Sequence, residues 1–517
     1  MILVRLLDLA ALLCGLAVLS TLVYWWWRPE EVFLVLLGIV ALRLMVAPVP
    51  VPSFRPRRVV AIGVAVYAAS FSFVTLTRHW TFKTHALDLA YYVQLTWNLA
   101  RGAGARVSLP EMNAWGDHVS PIMYLFVPAF WIFPGPAVLL VAQSIALGLG
   151  AIAVFGIAAR WLGDERPAAV FAVLYLIHPS LHGINVRDFH SAALTIPLLL
   201  AAIYFVEAER PWLYWGSVLL ILATREDAAI AVVGLGLWLA VTRRRWRWGV
   251  VTALGAFSLL VVDTRWLIPY FRGEPYPHLG RYAHLGRSVP EIIGTLLLHP
   301  WRVLTGVLTE KRLIYLGALL APLAFLPLLA PEVLVGLAPP LVENLLGQDP
   351  ILFNHRTQYQ SFILPFLFAA AIAGYDRLAR WRPGPWPKKV LVVAVMASLV
   401  LASNIVNNLS YERAVPKLEH RQAFEVMAQV PAEAAVSAQD PYVAHLALRP
   451  LVFVFPVGIE KADYLLLNTS SYPWRKDPHV IMMREGDTVT ITNGVGGPTY
   501  RYAVAAERGP ILLLRRR

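Results

Sequence analysis

Apolar runs of bilayer length recur along almost four fifths of this chain, separated by short linkers that are rich in arginine. A run of about 20 apolar residues spans a hydrocarbon core as a helix, with every backbone polar group satisfied internally. Counting some shorter runs, the sequence predicts about thirteen such helices: 6–27, 32–48, 59–77, 137–159, 168–181, 192–206, 212–223, 228–242, 250–268, 313–329, 332–346, 362–378 and 390–404. The totals agree, with 58% hydrophobic and 15% charged residues and a mean hydropathy of +0.59, far from the values of a water-soluble domain. The first run is too long for a signal-peptide core and has no small-residue cleavage site, so it is expected to stay as a helix.

The net charge of +13 could suggest nucleic acid. The cations instead fall in clusters between apolar runs, as in the cytoplasmic loops of a polytopic protein, so no nucleic-acid partner is expected. With the N-terminus cytoplasmic, one side receives Arg55, Arg57 and Arg58, then Arg160 and Arg166, then Arg243 to Arg247, then Arg377 to Lys389. The other side receives the loops that mix acids, histidines and arginines: 78–120, 179–190, 224–227, 271–291 and 347–359. Localisation is therefore expected to be the cell membrane, multi-pass, with the chemistry on the extracytoplasmic face. Cys14 is the single cysteine, which excludes an intramolecular disulfide.

Hydropathy collapses after Asn404. Two domains are expected: a transmembrane domain over 1–408 with an external loop at 78–120, and an extracytoplasmic α/β domain over 409–517. Within the latter, "AAVSAQD", "PLVFVFPVG" and "ADYLLLN" read as short buried strands, with "YVAHLAL" as a helix between the first two. The fold class expected is thus an all-α polytopic membrane protein with a small C-terminal α/β domain.

Four polar stretches could carry chemistry. In "HALDLAYYVQLTWNLARG", Leu87, Tyr91, Leu95 and Leu99 recur at helical spacing, which predicts an amphipathic helix lying at the membrane surface. Asp88 sits in its first turn, where it also suits the helix dipole. In "AWGDHVSPIMY", Ser120 and Pro121 make a helix start, whereas Asp117 and His118 are not needed for one. A carboxylate beside an imidazole could position or deprotonate a hydroxyl; a solvated turn is the plain alternative. "NVRDFH" and "ATREDAA" supply Arg187, Asp188, His190, Arg225 and Glu226 at the ends of apolar runs. Ionisable groups there pair or line a wet cavity, and arginine can grip a phosphate in a fork. Thr224 and Asp227 match a capping box, and plain salt bridges would explain much of the rest. Finally, "YPHLGRYAHLG" and "FNHRTQYQSFILP" bring Arg281, His355, Arg356 and Tyr359, all suited to a lipid phosphate. Histidines at 178, 182, 190, 278, 284 and 355 raise zinc, but no pair falls at ligand spacing on one continuous helix beside an acid. Pro179 interrupts His178 and His182.

Taken in order, "LDLAYYVQLTWNLARG", "GDHVSPIMYLFVPAFWIFP", "VRDFHSAALTIPLLL", "TREDAAIAVVGLGLW", "HRTQYQSFILPFLFAAAI" and "VSAQDPYVAHLALRPLVFVFP" resemble a prokaryotic family of polytopic membrane proteins known as a domain of unknown function. The likeness runs from about Trp80 to Asn468. The layout also resembles the GT-C superfamily of membrane glycosyltransferases, which includes protein mannosyltransferases and lipid A aminoarabinose transferases. That resemblance implies an acid at the start of the first large external loop, matched by Asp88, and a His-x-x-Pro element before an aromatic run, matched by His118 and Pro121. It further implies that the loop aspartate acts as base toward the acceptor hydroxyl, with Arg356 and Tyr359 near the departing polyprenyl phosphate. The acidic pair common in the superfamily is Asp88-Leu89 here, so no cofactor is assigned and a divalent metal stays open.

Expected partners are therefore a polyprenyl-phosphate-linked sugar, an extracytoplasmic acceptor (glycan, lipid or protein) and membrane lipid. The activity expected is inverting sugar transfer with Asp88, Asp117 and His118 as catalytic candidates. Arg187, His190, Arg225, Arg281, His355, Arg356 and Tyr359 would hold donor phosphate, with Glu226 and Asp188 in support. Two other classes fit the same composition: a transporter or flippase of a lipid-linked intermediate, and a non-catalytic membrane receptor.

Overall fold

The computed structural model describes residues 2–47, 54–470, 480–494 and 497–517; Pro48, the end of the second expected span, lies outside them. Helices dominate from Ile2 to Leu409. Among the described residues, five are long and apolar enough to cross a membrane: Ile2–Tyr24, Pro56–Trp80, Pro136–Leu162, Glu165–Val186 and Trp246–Arg272. The pair Trp386–Leu401 and Ser403–Leu409, bent by 49°, could make a sixth. The expectation of about thirteen spans is not confirmed. Several apolar runs form helices of 12–14 residues, such as Pro211–Leu222 and Ala228–Val241, only about 20 Å long at 1.5 Å per residue. Hydropathy scores a buried core helix like a lipid-facing one, and the face of Ala228–Val241 that packs inward is fully buried from Ala228 to Leu239.

The basic linkers gather at one end of the bundle. Arg57 pairs with Glu165 at 2.7 Å, Arg243 with Glu207 at 3.1 Å and Arg245 with Glu209 at 3.5 Å. The same helices deliver His79, His190 and Glu226 to their other ends. A groove of about 880 Å³ between Pro136–Leu162 and Thr195–Glu207 opens at the basic end, lined by Arg57, Arg160 and Tyr204 among others.

The C-terminal region forms a seven-stranded mixed sheet in the order 452–454, 436–438, 464–468, 511–516, 499–508, 488–493, 480–485. Strand Val436–Ala438 runs parallel to both its neighbours; the rest pair antiparallel. The three strands expected from sequence are present, whereas the expected helix over "YVAHLAL" is a single turn, Asp440–Val443.

One face of this sheet shares a core with the first large loop, while the other has a core of its own around Val489, Ile491 and Tyr502. One continuous core joins Ala86, Leu89, Val93, Leu95, Val107 and Met123 to Val426, Val436, Val443, Val452 and Leu513. The segment 86–100 runs as a π-turn over Ala86–Ala90 and an α-helix over Tyr91–Ala100. It is buried on every side from Leu89 to Leu95, so the expectation of a helix lying on the membrane surface is corrected. The docked C-terminal region covers the face that sequence periodicity left polar: the Gln94 amide donates to the carbonyls of Arg449 and Pro450 at 3.0 and 3.2 Å. Ser108 Oγ donates to Val452 O at 2.7 Å and accepts from Val452 N at 3.0 Å.

Candidate active site

At the end of the bundle opposite the basic linkers, polar side chains from seven separate stretches of chain meet. Asp88 projects from the π-turn, the π-bulge being a frequent device for re-aiming one side chain. Its Oδ1 lies 3.2 Å from His190 Nε2, an ion-pair approach without an aligned hydrogen bond. Burial alone would raise the Asp88 carboxyl, but His190, Arg187 and His85 outweigh it and leave the group below its ordinary range. It is thus ionised at neutral pH.

The loop that places His190 is itself pinned. Asp188 adopts a left-handed backbone (φ 71), tolerable for Asp. Its carbonyl accepts from Gln143 Nε2 at 2.7 Å, and Gln143 Oε1 accepts from His190 N at 2.9 Å. The Asp188 carboxylate accepts from His85 N at 2.8 Å, fastening the loop to the start of the Asp88 turn. Arg187 stays exposed beside Asp88.

Residues 116–118 form the second cluster. A Cβ on Gly116 would lie 3.0–3.1 Å from the Arg272 backbone, so a larger residue there would press the two segments apart by a few tenths of an ångström. His118 Nδ1–H donates to Glu226 Oε1 at 2.9 Å, Val119 N to Glu226 Oε2 at 3.1 Å and Tyr276 OH to Oε1 at 3.2 Å. Glu226, 1% exposed, is therefore the residue that explains His118. The two imidazoles of His118 and His278 stack at 4.5 Å, and His278 Nε2 lies 3.4 Å from Asp117 Oδ1. Burial would neutralise both carboxylates, yet His118 and His278 hold Asp117 well below the usual range, and His118 with Arg225 does the same for Glu226. Burial opposes a charge on His118 as well, but Glu226 and Asp117 prevail and raise it.

The expected capping box at Thr224 and Asp227 does not form. The Asp227 carboxylate instead accepts from Arg225 Nε and Nη2 at 2.6 and 2.5 Å, because a guanidinium 2% exposed requires a paired anion. The Arg225 guanidinium also lies 5.1 Å from the Tyr359 ring centroid, and that of Arg281 lies 5.2 Å from the same ring. The resulting pocket of two cations also holds Glu343. Polar contacts join the clusters: Tyr92 OH to Ser191 Oγ at 3.1 Å, Ser191 Oγ to Ser120 Oγ at 3.2 Å, and Thr195 Oγ1 to Thr224 Oγ1 at 2.8 Å. Ser120 is spent on Ser191 and makes no side-chain cap to the helical turn it precedes.

Asp88, Asp117, His118, Asp188, His190, Arg225, Glu226, Arg281 and Tyr359 thus come together, with Arg187 at the rim. His355 and Arg356 do not. Arg356 Nη2 donates to Leu401 O at 3.2 Å and its Nε meets His355 Nε2 at 3.2 Å; the pair faces the buried His178 and His182 instead. The turn Gln358–Phe362 directs Tyr359 inward and leaves the preceding pair on the other side.

Sequence spacing missed three participants. His278 lies 160 positions from His118, so no spacing rule on one helix could pair them. Glu343 sits between Val342 and Asn344 in an apolar run, where an acid within a membrane segment is itself a signal. Asp440 was hidden in a strand-like stretch. Asp117, His118 and His278 offer one ligand atom each within 4.8 Å of one another. A carboxylate with two imidazoles, one of them steadied from behind by Glu226, suits a divalent cation.

A helical bundle with a polar cluster at one end and a C-terminal sheet that shares a core with the first large loop has an ArnT-like fold. The chain belongs to the family described as "Predicted membrane protein (DUF2079)", whose model matches residues 78–490. Two crystal structures of ArnT from Cupriavidus metallidurans are similar in fold. The one bound to undecaprenyl phosphate is 14% identical with a TM-score of 0.51, and the apo form is 15% identical with a TM-score of 0.51. Each comparison covers 88% of this chain and 97% of ArnT. No curated protein matches the sequence.

Proposed function

We propose that this protein is a membrane glycosyltransferase that moves a sugar from a polyprenyl-phosphate donor to an extracytoplasmic acceptor, with inversion and a single carboxylate base. The observation that supports this reading is an ionised carboxylate, Asp88, against His190, with Tyr92 one turn further on both bonded to Ser191 beside that histidine and within the field of Arg225, which shares Tyr359 with Arg281. Asp88 accepts the proton of the acceptor hydroxyl as that oxygen attacks the anomeric carbon, and the phosphate leaves with the bonding pair. Arg225 and Arg281, fixed around Tyr359, stabilise the departing anion without reorganising. The undecaprenyl phosphate named for the ArnT structure supports a donor of that chemical class.

Asp117, His118 and His278 hold a divalent cation in this reading, which would supply positive charge beside the acceptor. Gathering of the basic linkers at the far end supports a cytoplasmic N-terminus and an outward-facing site.

The test is transfer by the purified protein in lipid, using radiolabelled polyprenyl-phosphate sugars. Asp88→Asn should lower the transfer rate by at least about a hundredfold while the protein folds normally; unchanged transfer refutes Asp88 as base. Labelled lipid that crosses proteoliposome bilayers without losing its sugar would establish a flippase instead.

A further inference from the structure

The C-terminal region reaches the turn that carries Asp88 through one carboxylate. Asp440 Oδ1 accepts from Ala86 N at 2.9 Å, and Asp440 Oδ2 lies 2.8 Å from His85 Nδ1. The preceding amide, His85 N, is held by Asp188 from the opposite side. The first free N–H groups of the Asp88 turn are thus shared between two acids from different parts of the chain. Neither has a substitute from the turn itself, since its own ladder begins with Leu89 N and Ala90 N, both directed to His85 O.

Two further contacts flank this one. On one side the His79 and His445 rings stack at 3.8 Å, 13° from parallel, with His445 Nε2 3.0 Å from His79 O. On the other, Gln94 and Ser108 bind the backbone of 449–452. Residues 79–108 are therefore fastened to 440–452 at both ends, and Asp440 acts within two residues of Asp88. The π-turn is where a small rotation would swing the Asp88 carboxylate away from His190, 3.2 Å distant.

We propose that Asp440 is a positioning residue for Asp88: the C-terminal domain sets the direction of the candidate base by capping the turn that bears it. This rests on the reading of Asp88 as base only for its kinetic consequence; the structural claim stands apart from it.

The full-length protein in lipid serves for the test, with Asp440→Ala and Asp440→Asn compared by amide hydrogen exchange and by sugar transfer. Removing the acceptor in Asp440→Ala should speed exchange of the amides in 85–90 about tenfold, the effect of one or two lost hydrogen bonds. It should lower kcat about a hundredfold through misorientation, with KM for the donor little changed. Asparagine presents the same oxygen to Ala86 N and an amide to His85, so Asp440→Asn should restore protection and most of kcat. Unchanged exchange at 85–90 in Asp440→Ala overturns the proposal, as does loss of protection across the whole chain, or failure of Asn to restore it. If the unaltered protein transfers no sugar, the glycosyltransferase reading fails while the exchange comparison still decides the role of Asp440.

Discussion

Replacing Asp188 by asparagine should make the protein more stable at neutral pH and leave it unchanged in acid. Burial pushes the Asp188 carboxyl up to about 6 from an ordinary 3.8, against the pull of His85 and Arg78, while Asp88 adds to the rise. An acid raised on folding is favoured in its protonated form. Below about pH 4 folded and unfolded chains both hold the proton and nothing is lost. Between about 4 and 6 the unfolded chain ionises first, and stability falls; above about 6 the folded carboxylate carries the full disadvantage. The difference amounts to about 3 kcal/mol. Asparagine keeps an acceptor for His85 N, which lies 2.8 Å from Asp188 Oδ2, and tolerates the left-handed backbone. Thermal unfolding in lipid nanodiscs, followed by tryptophan fluorescence at pH 4.5 and 7.5, measures the effect. Asp188→Asn should melt a few degrees above the unaltered protein at pH 7.5 and much closer to it at pH 4.5, where about 1 kcal/mol of the difference remains. An equal offset at both pH values would refute the reasoning, since it would show that the carboxyl titrates alike in folded and unfolded chains.

Two packing predictions accompany it, beside the Asp88 and Asp440 tests. Glu226→Ala leaves His118 Nδ1, Val119 N and Tyr276 OH without their acceptor and should cost about 3–5 kcal/mol, with Glu226→Gln losing clearly less; a melting point for the alanine variant equal to that of the unaltered protein would refute the assigned role. A Cβ on Gly234 would lie 2.1 Å from Gly336 O, so Gly234→Ala should push Ala228–Val241 off Pro331–Leu346 and destabilise by about 1–3 kcal/mol, read as a lowered melting point.

Much of the site was legible from chemistry that local structure did not require. Asp117 and His118 were in excess of a Ser-Pro helix start, and the excess is what Glu226 and His278 take up. Arg225 and Glu226 were in excess of a cap, and both proved buried and paired. The same logic failed where two nearby residues diverge: Arg356 and Tyr359 are three positions apart, but a tight turn sends them to different neighbours, and the sequence resemblance treated them as one. Leu87 to Leu99 read as one apolar stripe because periodicity reports which side chains dislike water, not what covers the others. Here the cover is Arg449, Pro450 and Val452, more than three hundred residues downstream. The count of about thirteen spans is not confirmed for a related reason: hydropathy does not distinguish lipid from protein as the apolar surroundings of a helix such as Ala228–Val241.

The core common to residues 86–140 and 423–513 bears on how the polypeptide matures. Gln94 meets its acceptor 355 positions later, an interval that a ribosome moving at 5–20 residues per second needs roughly 20–70 s to translate. Throughout that delay the first loop lacks its C-terminal cover, and Ala86 N lacks the Asp440 carboxylate that accepts from it. In the proposed reading the contacts that orient Asp88 are complete only once the final hundred residues have been made and docked.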